Sequence, residues 1–147
     1  MVKLHYELLI RFEGASCLGS QLAAILKTIL EFSGNGTWYA SDVDTTCDNL
    51  KISHLRGPRP KKIGSIDDMI DLVKTVQQFL YGVFILLSVD AGKELKVECY
   101  TEDDPFRTCD NIIFEIRTFD TSYFLIYSNN LQILNTLKAV FGGEINT

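Results

Sequence analysis

The stretch from Ile112 to Phe141, IIFEIRTFDTSYFLIYSNNLQILNTLKAVF, constrains the fold of this chain more than any other. It reads as two strands joined by a tight turn at Phe119 to Ser122, followed by a helix whose Leu131, Leu134, Leu137 and Phe141 share one face. The strands pair back on each other, and the helix must lie across the sheet they enter.

The segments before it supply the rest of that sheet. Leu4, Tyr6, Leu8, Ile10 and Phe12 alternate with Lys3, His5, Glu7, Leu9 and Arg11, the pattern of a half-buried strand. Leu18, Leu22, Ile25, Leu26, Ile29 and Leu30 then recur at helical spacing until Ser33, Gly34, Asn35 and Gly36 end the run. Thr37 to Val43 reads as a second strand. From Leu50 a short strand through Ile52 and His54 is expected, and Gly57, Pro58 and Pro60 mark an exposed loop reaching Gly64. Ser65 with Asp68 three residues on opens a second helix, whose stripe of Ile66, Met69, Ile70, Val73, Val76 and Leu80 runs to Gly82. Val83 to Val89 has no polar alternation and is placed as a central strand. A turn at Asp90 to Lys93 returns it as Leu95, Val97 and Cys99, and an acidic loop spans Thr101 to Asp110. The expected fold is α+β: a single domain over residues 1–147, with a largely antiparallel sheet of about six strands and about three helices mostly on one face.

Charge and composition limit what such a domain can do. The chain carries a net charge of −5, but Lys51, Arg56, Arg59, Lys61 and Lys62 fall in one segment with no acidic residue, leaving nine basic against nineteen acidic residues elsewhere. An acidic body disfavours nucleic acid and attracts basic partners. Apolar runs such as Val83 to Leu87 are too short to span a bilayer as a helix, and charges near the N-terminus interrupt any signal-peptide core, which favours a cytoplasmic location. Cys17, Cys47, Cys99 and Cys109 form no CxxC pair and only two histidines accompany them, so reduced thiols are expected and no cofactor is implied.

Four features invite a chemical reading. Gly14 and Gly19 bracket a strand-to-helix turn as in a phosphate loop, but Ser20 and Gln21 stand where Lys and Ser or Thr are required, so the glycines are read as shaping the turn. Cys17 lies near a helix N-terminus, where thiol acidity can rise, yet no base or arginine partner is spaced to use it. Asp42-Val43-Asp44-Thr45-Thr46 resembles the D-x-D-x-T signature of haloacid-dehalogenase-type phosphotransferases, which would make Asp42 a nucleophile and Asp44 an acid/base. The same carboxylates could contact a divalent metal, or Asp and Thr could simply form a turn, which is the preferred reading. Arg56, Arg59, Lys61 and Lys62 sit on a proline-stiffened loop accessible to an acidic or phosphate-rich partner.

The sheet's outer face gathers His5, Glu7, Arg11, Lys96, Glu98, Glu115 and Arg117, read as a water-facing side with cross-strand ion pairs. Tyr123, Leu125 and Tyr127 alternate with Phe124 and Ile126, so both faces of that strand need covering. If the strand lies at an edge, these residues mark where a partner adds, and a symmetric dimer would suit it. In FDTSYFLIYSNN the residues Phe119, Asp120, Ser122, Tyr123, Ile126 and Tyr127, with Trp38 and Tyr39 as a looser parallel, resemble small bacterial α+β proteins, some grouped with toxin-immunity proteins. That resemblance implies a non-enzymatic protein that binds a cognate toxin, and it carries over no individual site residue. The functional expectation is therefore a protein-binding domain, an immunity-type inhibitor of a basic toxin. A small-ligand-binding domain and a metal-assisted phosphotransferase built on Asp42 and Asp44 are the alternatives.

Overall fold

The protein is described by a computed structural model covering residues 6–33, 36–47, 49–88, 98, 100, 101 and 112–146. Most of the expected return strand at Leu95 to Cys99, most of the acidic loop, and His5 and Lys96 fall outside these residues. Among those described, seven strands form one antiparallel sheet and four helices accompany it, so the fold is α+β. In chain order the elements are β1 (Tyr6–Ile10), α1 (Gly19–Thr28), α2 (Leu30–Ser33), β2 (Thr37–Thr45), β3 (Lys61–Gly64), α3 (Ile66–Val73), β4 (Phe79–Leu87), β5 (Ile112–Phe119), β6 (Tyr123–Ser128), α4 (Leu131–Phe141) and β7 (Glu144–Asn146). Across the sheet the strands run β3-β2-β4-β5-β6-β1-β7. Among the described residues no helix is long and apolar enough to cross a membrane.

Period-2 alternation divides the sheet's side chains between two faces. On the inner face Ile145, Leu8, Ile126, Ile116, Phe84 and Ala40 stand opposite one another on six adjacent strands. Against them pack Leu22 and Leu26 of α1, Met69 and Val73 of α3, and Leu134 and Leu137 of α4. Every long helix thus buries its apolar stripe on the same side. The outer face has its own cluster of Tyr39, Val83, Ile85, Leu87, Ile112 and Tyr127, to which none of the described helices contributes.

Local chemistry explains where the helices begin and end. Ser65 Oγ accepts from the Asp68 N–H at 3.2 Å while the Asp68 carboxylate accepts from the Ser65 N–H at 3.0 Å, the reciprocal box expected from the sequence. Asn130 caps α4 through the Gln132 N–H, and Gly142 and Gly143, both at positive φ, turn the chain back so that β7 pairs with β1. Gly19 has a packing role, since a Cβ there would collide with the carbonyls of Val73 and Val76. That close approach accounts for the glycine without any phosphate.

Three expectations fail for identifiable reasons. The second helix stops at Val73: the chain then turns, with Thr75 N–H donating to the Leu72 carbonyl and Val76 N–H to the Val73 carbonyl, and enters β4 at Phe79, whose N–H donates to the Cys17 carbonyl. Val76 is buried and Leu80 lies in β4, so their helical spacing from Val73 is coincidental. Gly82 is inside β4, where it leaves room for the Phe84 ring. The short strand through Ile52 is instead a 3-10 turn at Ser53–Leu55 anchored by buried Ile52 and Leu55, and the end of the supposed loop, from Lys61, is β3. Asp42 and Asp44 lie in β2 at an irregularity of the ladder and do not form a turn between elements.

The β5–β6 turn forms as expected, with Ser122 N–H donating to the Phe119 carbonyl at 2.8 Å. Asp120 and Thr121 both have positive φ, at 47° and 60°. Asp tolerates this region through local hydrogen bonding, whereas a β-branched residue is strained there. Replacing Thr121 with Gly should therefore raise stability by about 1 kcal/mol in urea titration, and a loss of stability would show that Thr121 makes a compensating contact.

Candidate functional site

The outer face divides along its strands into a closed region and an open end. Within the closed region a single row crosses all seven strands: Lys62, Tyr39, Ile85, Glu115, Tyr127, Glu7 and Asn146. The next row brings Ser41, Val83, Arg117, Leu125, Leu9 and Glu144 together. Glu115 and Arg117, expected to face water, are each only 2% exposed. Arg117 Nε donates to Glu115 Oε2 at 3.1 Å and its Nη1 donates to the Thr101 carbonyl at 2.8 Å, while the guanidinium lies 5.9 Å from the Tyr127 ring centre. A charge this buried persists only when acceptors surround it, and two are supplied here.

Thr101 is held at a second point. Its N–H donates to Asp42 Oδ2 at 2.8 Å. Asp42 reaches it from a backbone at φ 52°, with its own N–H bonded to the Gly57 carbonyl, so the irregularity in β2 aims the carboxylate at Thr101. The neighbouring Asp44 accepts from the Thr45 N–H and pairs with Arg56 at 3.6 Å. The two carboxylates are thus committed to different partners, and among the described residues no group of three His, Cys, Asp or Glu could hold a metal. Burial first, and then the charge and hydrogen bond of the Glu7 carboxylate, push the Tyr127 hydroxyl above its usual range, so it is a neutral donor at physiological pH.

At the open end the same strands carry Asp44, Tyr81, Phe119 and Tyr123 directly opposite one another. Phe119 and Tyr123 stack with ring centres 5.2 Å apart and planes 15° from parallel. From the β1 side Arg11 lies 5.5 Å from the Tyr123 ring centre. β6 lies between β5 and β1, so Tyr123 meets Phe119 from one neighbouring strand and Arg11 from the other. Tyr81 is 36% exposed, and the stack is half-buried. The result is an aromatic ridge flanked by Arg11 on one side and the Asp44–Arg56 pair on the other.

The residues singled out from sequence are therefore distributed over three places. Tyr123 stands in the ridge and Arg56 at its end; Leu125 is half-buried beside Arg117; Tyr127 is buried in the closed region. Lys61 and Lys62 are exposed on β3, at the far edge of the sheet, and Arg59 is exposed just before it. β6 is internal, so no partner strand can add to it. Tyr81 belongs to the ridge but does not stand out in the sequence, because its segment reads as the end of a helix, whereas the alternation of the first strand places Arg11 on the outer face. The turn placing Phe119 beside Tyr123 is the signal that points to the ridge. Cys17 is fully buried, its thiol donates to the Tyr123 carbonyl, and burial pushes its pKa up, the opposite of the shift that activates a nucleophilic thiol. Comparison of the chain with protein-family models, with curated proteins and with solved structures returned no match.

Removing one member of the buried pair should be costly. Arg117→Met leaves Glu115 without its guanidinium and is expected to lose about 3–5 kcal/mol in denaturant titration, whereas Glu115→Leu combined with Arg117→Met recovers most of that loss. A single variant no less stable than the double would mean that solvent reaches the pair.

Proposed function

We propose that this protein acts by binding another protein, without catalysis, and that the ridge of Tyr81, Phe119 and Tyr123 is the centre of the contact. The observation that supports this reading is the orientation of the stack. Binding of nucleobases or sugars on a sheet uses aromatic faces, as in single-strand recognition. Here Phe119 stacks on Tyr123 and Arg11 lies over the same ring, so Tyr123 is already engaged within the protein and Tyr81 is the ring most open to a partner. Tyrosine and arginine on a preorganised surface are the residue types that dominate protein–protein hot spots. Little conformational freedom is lost when a partner packs against rings that are already stacked.

A groove beside Leu9, Arg11, Gly143 and Glu144 holds about 250 Å³, below the usual range for a ligand pocket, which weakens a small-ligand reading beside the ridge. A phosphotransferase at Asp42 and Asp44 is disfavoured by the separate commitments of the two carboxylates to Thr101 and Arg56. The finer reading is an immunity-type inhibitor in the cytoplasm that neutralises a basic toxin. Its support is the net charge of −5, which would speed encounter with a cationic partner.

The test is affinity capture from the source cells, followed by titration of the purified partner against variants. Tyr81→Ala should weaken binding about 30-fold, the loss expected of a hot spot of about 2 kcal/mol, while Val140→Ala on the exposed side of α4 leaves it unchanged. Undiminished affinity in Tyr81→Ala and in Tyr123→Ala, with both variants folded, would place the contact elsewhere.

A further inference from the structure

A second surface lies on the far edge of the sheet, on elements the ridge does not use. β3 is paired with β2 on one side, and among the described residues no strand pairs with the other. The free side of an edge strand presents backbone donors and acceptors that can template another strand. Lys61 and Lys62 are exposed along it and Arg59 precedes it, while Ile63 is half-buried. Beside β3 an open groove of about 370 Å³ is lined by His54, Lys62, Ile63, Asp68, Asp71 and Leu72, so that the edge strand and α3 form its two walls.

The chemistry of these residues selects among occupants. Two β3 edges brought together would set lysines against lysines, and like charges across a ladder are destabilising, which argues against a second copy. An extended segment rich in carboxylates meets Arg59, Lys61 and Lys62 favourably. In the groove Asp71, and Asp68 already bonded to Ser65, would repel a carboxylate, whereas Ile63 and Leu72 offer apolar surface. We infer that β3 accepts an extended, net-acidic peptide segment by strand addition, with one apolar side chain seated between Ile63 and Leu72 and acidic residues on either side of it. Backbone pairing holds the segment, and the lysines select its charge. The β3 edge and the ridge are independent, since a partner could use either surface alone.

The probe is the fluorescein-labelled peptide Glu-Glu-Val-Glu-Glu, capped at its C-terminus and titrated into the full chain by anisotropy, with amide NMR shifts to locate it. Saturable binding is expected, with shifts centred on Lys61 to Gly64 and Leu72. Lys61→Glu with Lys62→Glu should weaken it about tenfold or more, and the Lys-Lys-Val-Lys-Lys peptide should not compete. Of two peptides tested on the unaltered protein, one N-methylated at Val and one at the Glu after it, one should lose about tenfold, because alternate N–H groups face the β3 edge and a ladder hydrogen bond is removed while the charge is kept. Undiminished affinity for both N-methylated peptides, shifts confined to other strands, absence of binding at millimolar peptide, or self-association through β3 in its place would each overturn the proposal.

Discussion

A guanidinium buried on a sheet face dictates much of what surrounds it. Arg117 sits on β5, in the middle of the sheet, where water cannot solvate it. Glu115 on the same strand supplies one acceptor and Thr101 supplies another, from the chain between β4 and β5. Thr101 in turn is held by Asp42, whose unusual backbone is stabilised through Gly57. Four segments of the chain distant in sequence are therefore tied together on a face that none of the described helices covers. The apolar residues around them, Val83, Ile85 and Leu87 among others, then form a second core in place of a solvated surface.

Closure of that face is also what gives the ridge its character. Moving along β4, β5 and β6 from the buried pair, the outward side chains pass from Ile85, Glu115 and Tyr127 to Tyr81, Phe119 and Tyr123. The second set stands on strands packed from both sides, so its rings are fixed by the sheet rather than by their own contacts alone. A rigid, partly exposed aromatic group loses little freedom when a partner covers it. Among the described residues, burial pushes the Cys17 thiol and the Tyr127 hydroxyl above their usual ranges, and Asp42 and Asp44 are engaged with Thr101 and Arg56.

Elements whose identity is set locally are legible in the sequence. The Asp120–Thr121 turn, the Ser65–Asp68 box and the alternating strands on either side of the turn depend on residues within a few positions of one another. What the sequence hides depends on distant partners. β3 has two lysines and four residues, and becomes a strand only because β2 offers it an edge. β7 exists because Gly142 and Gly143 bring three residues back to β1. Glu115 and Arg117 alternate with apolar residues as any half-exposed strand would, and nothing nearby in sequence shows that Thr101 and Tyr127 will enclose them. Half of the candidate site is visible for the same reason. Phe119 and Tyr123 are joined by a turn, whereas Tyr81 and Arg11 reach the ridge through strand order.

Everything on the outer face turns on Arg117 and Asp42 together holding Thr101 against it. Hydrogen exchange at the Thr101 amide reads this out, because that N–H donates to Asp42 and to no strand neighbour in the sheet. Protection comparable to that of the β5 amides is expected, lost selectively in Asp42→Ala while β5 remains protected. Exchange at Thr101 as fast as in an exposed loop of the unaltered protein would show that the face is not closed in this way.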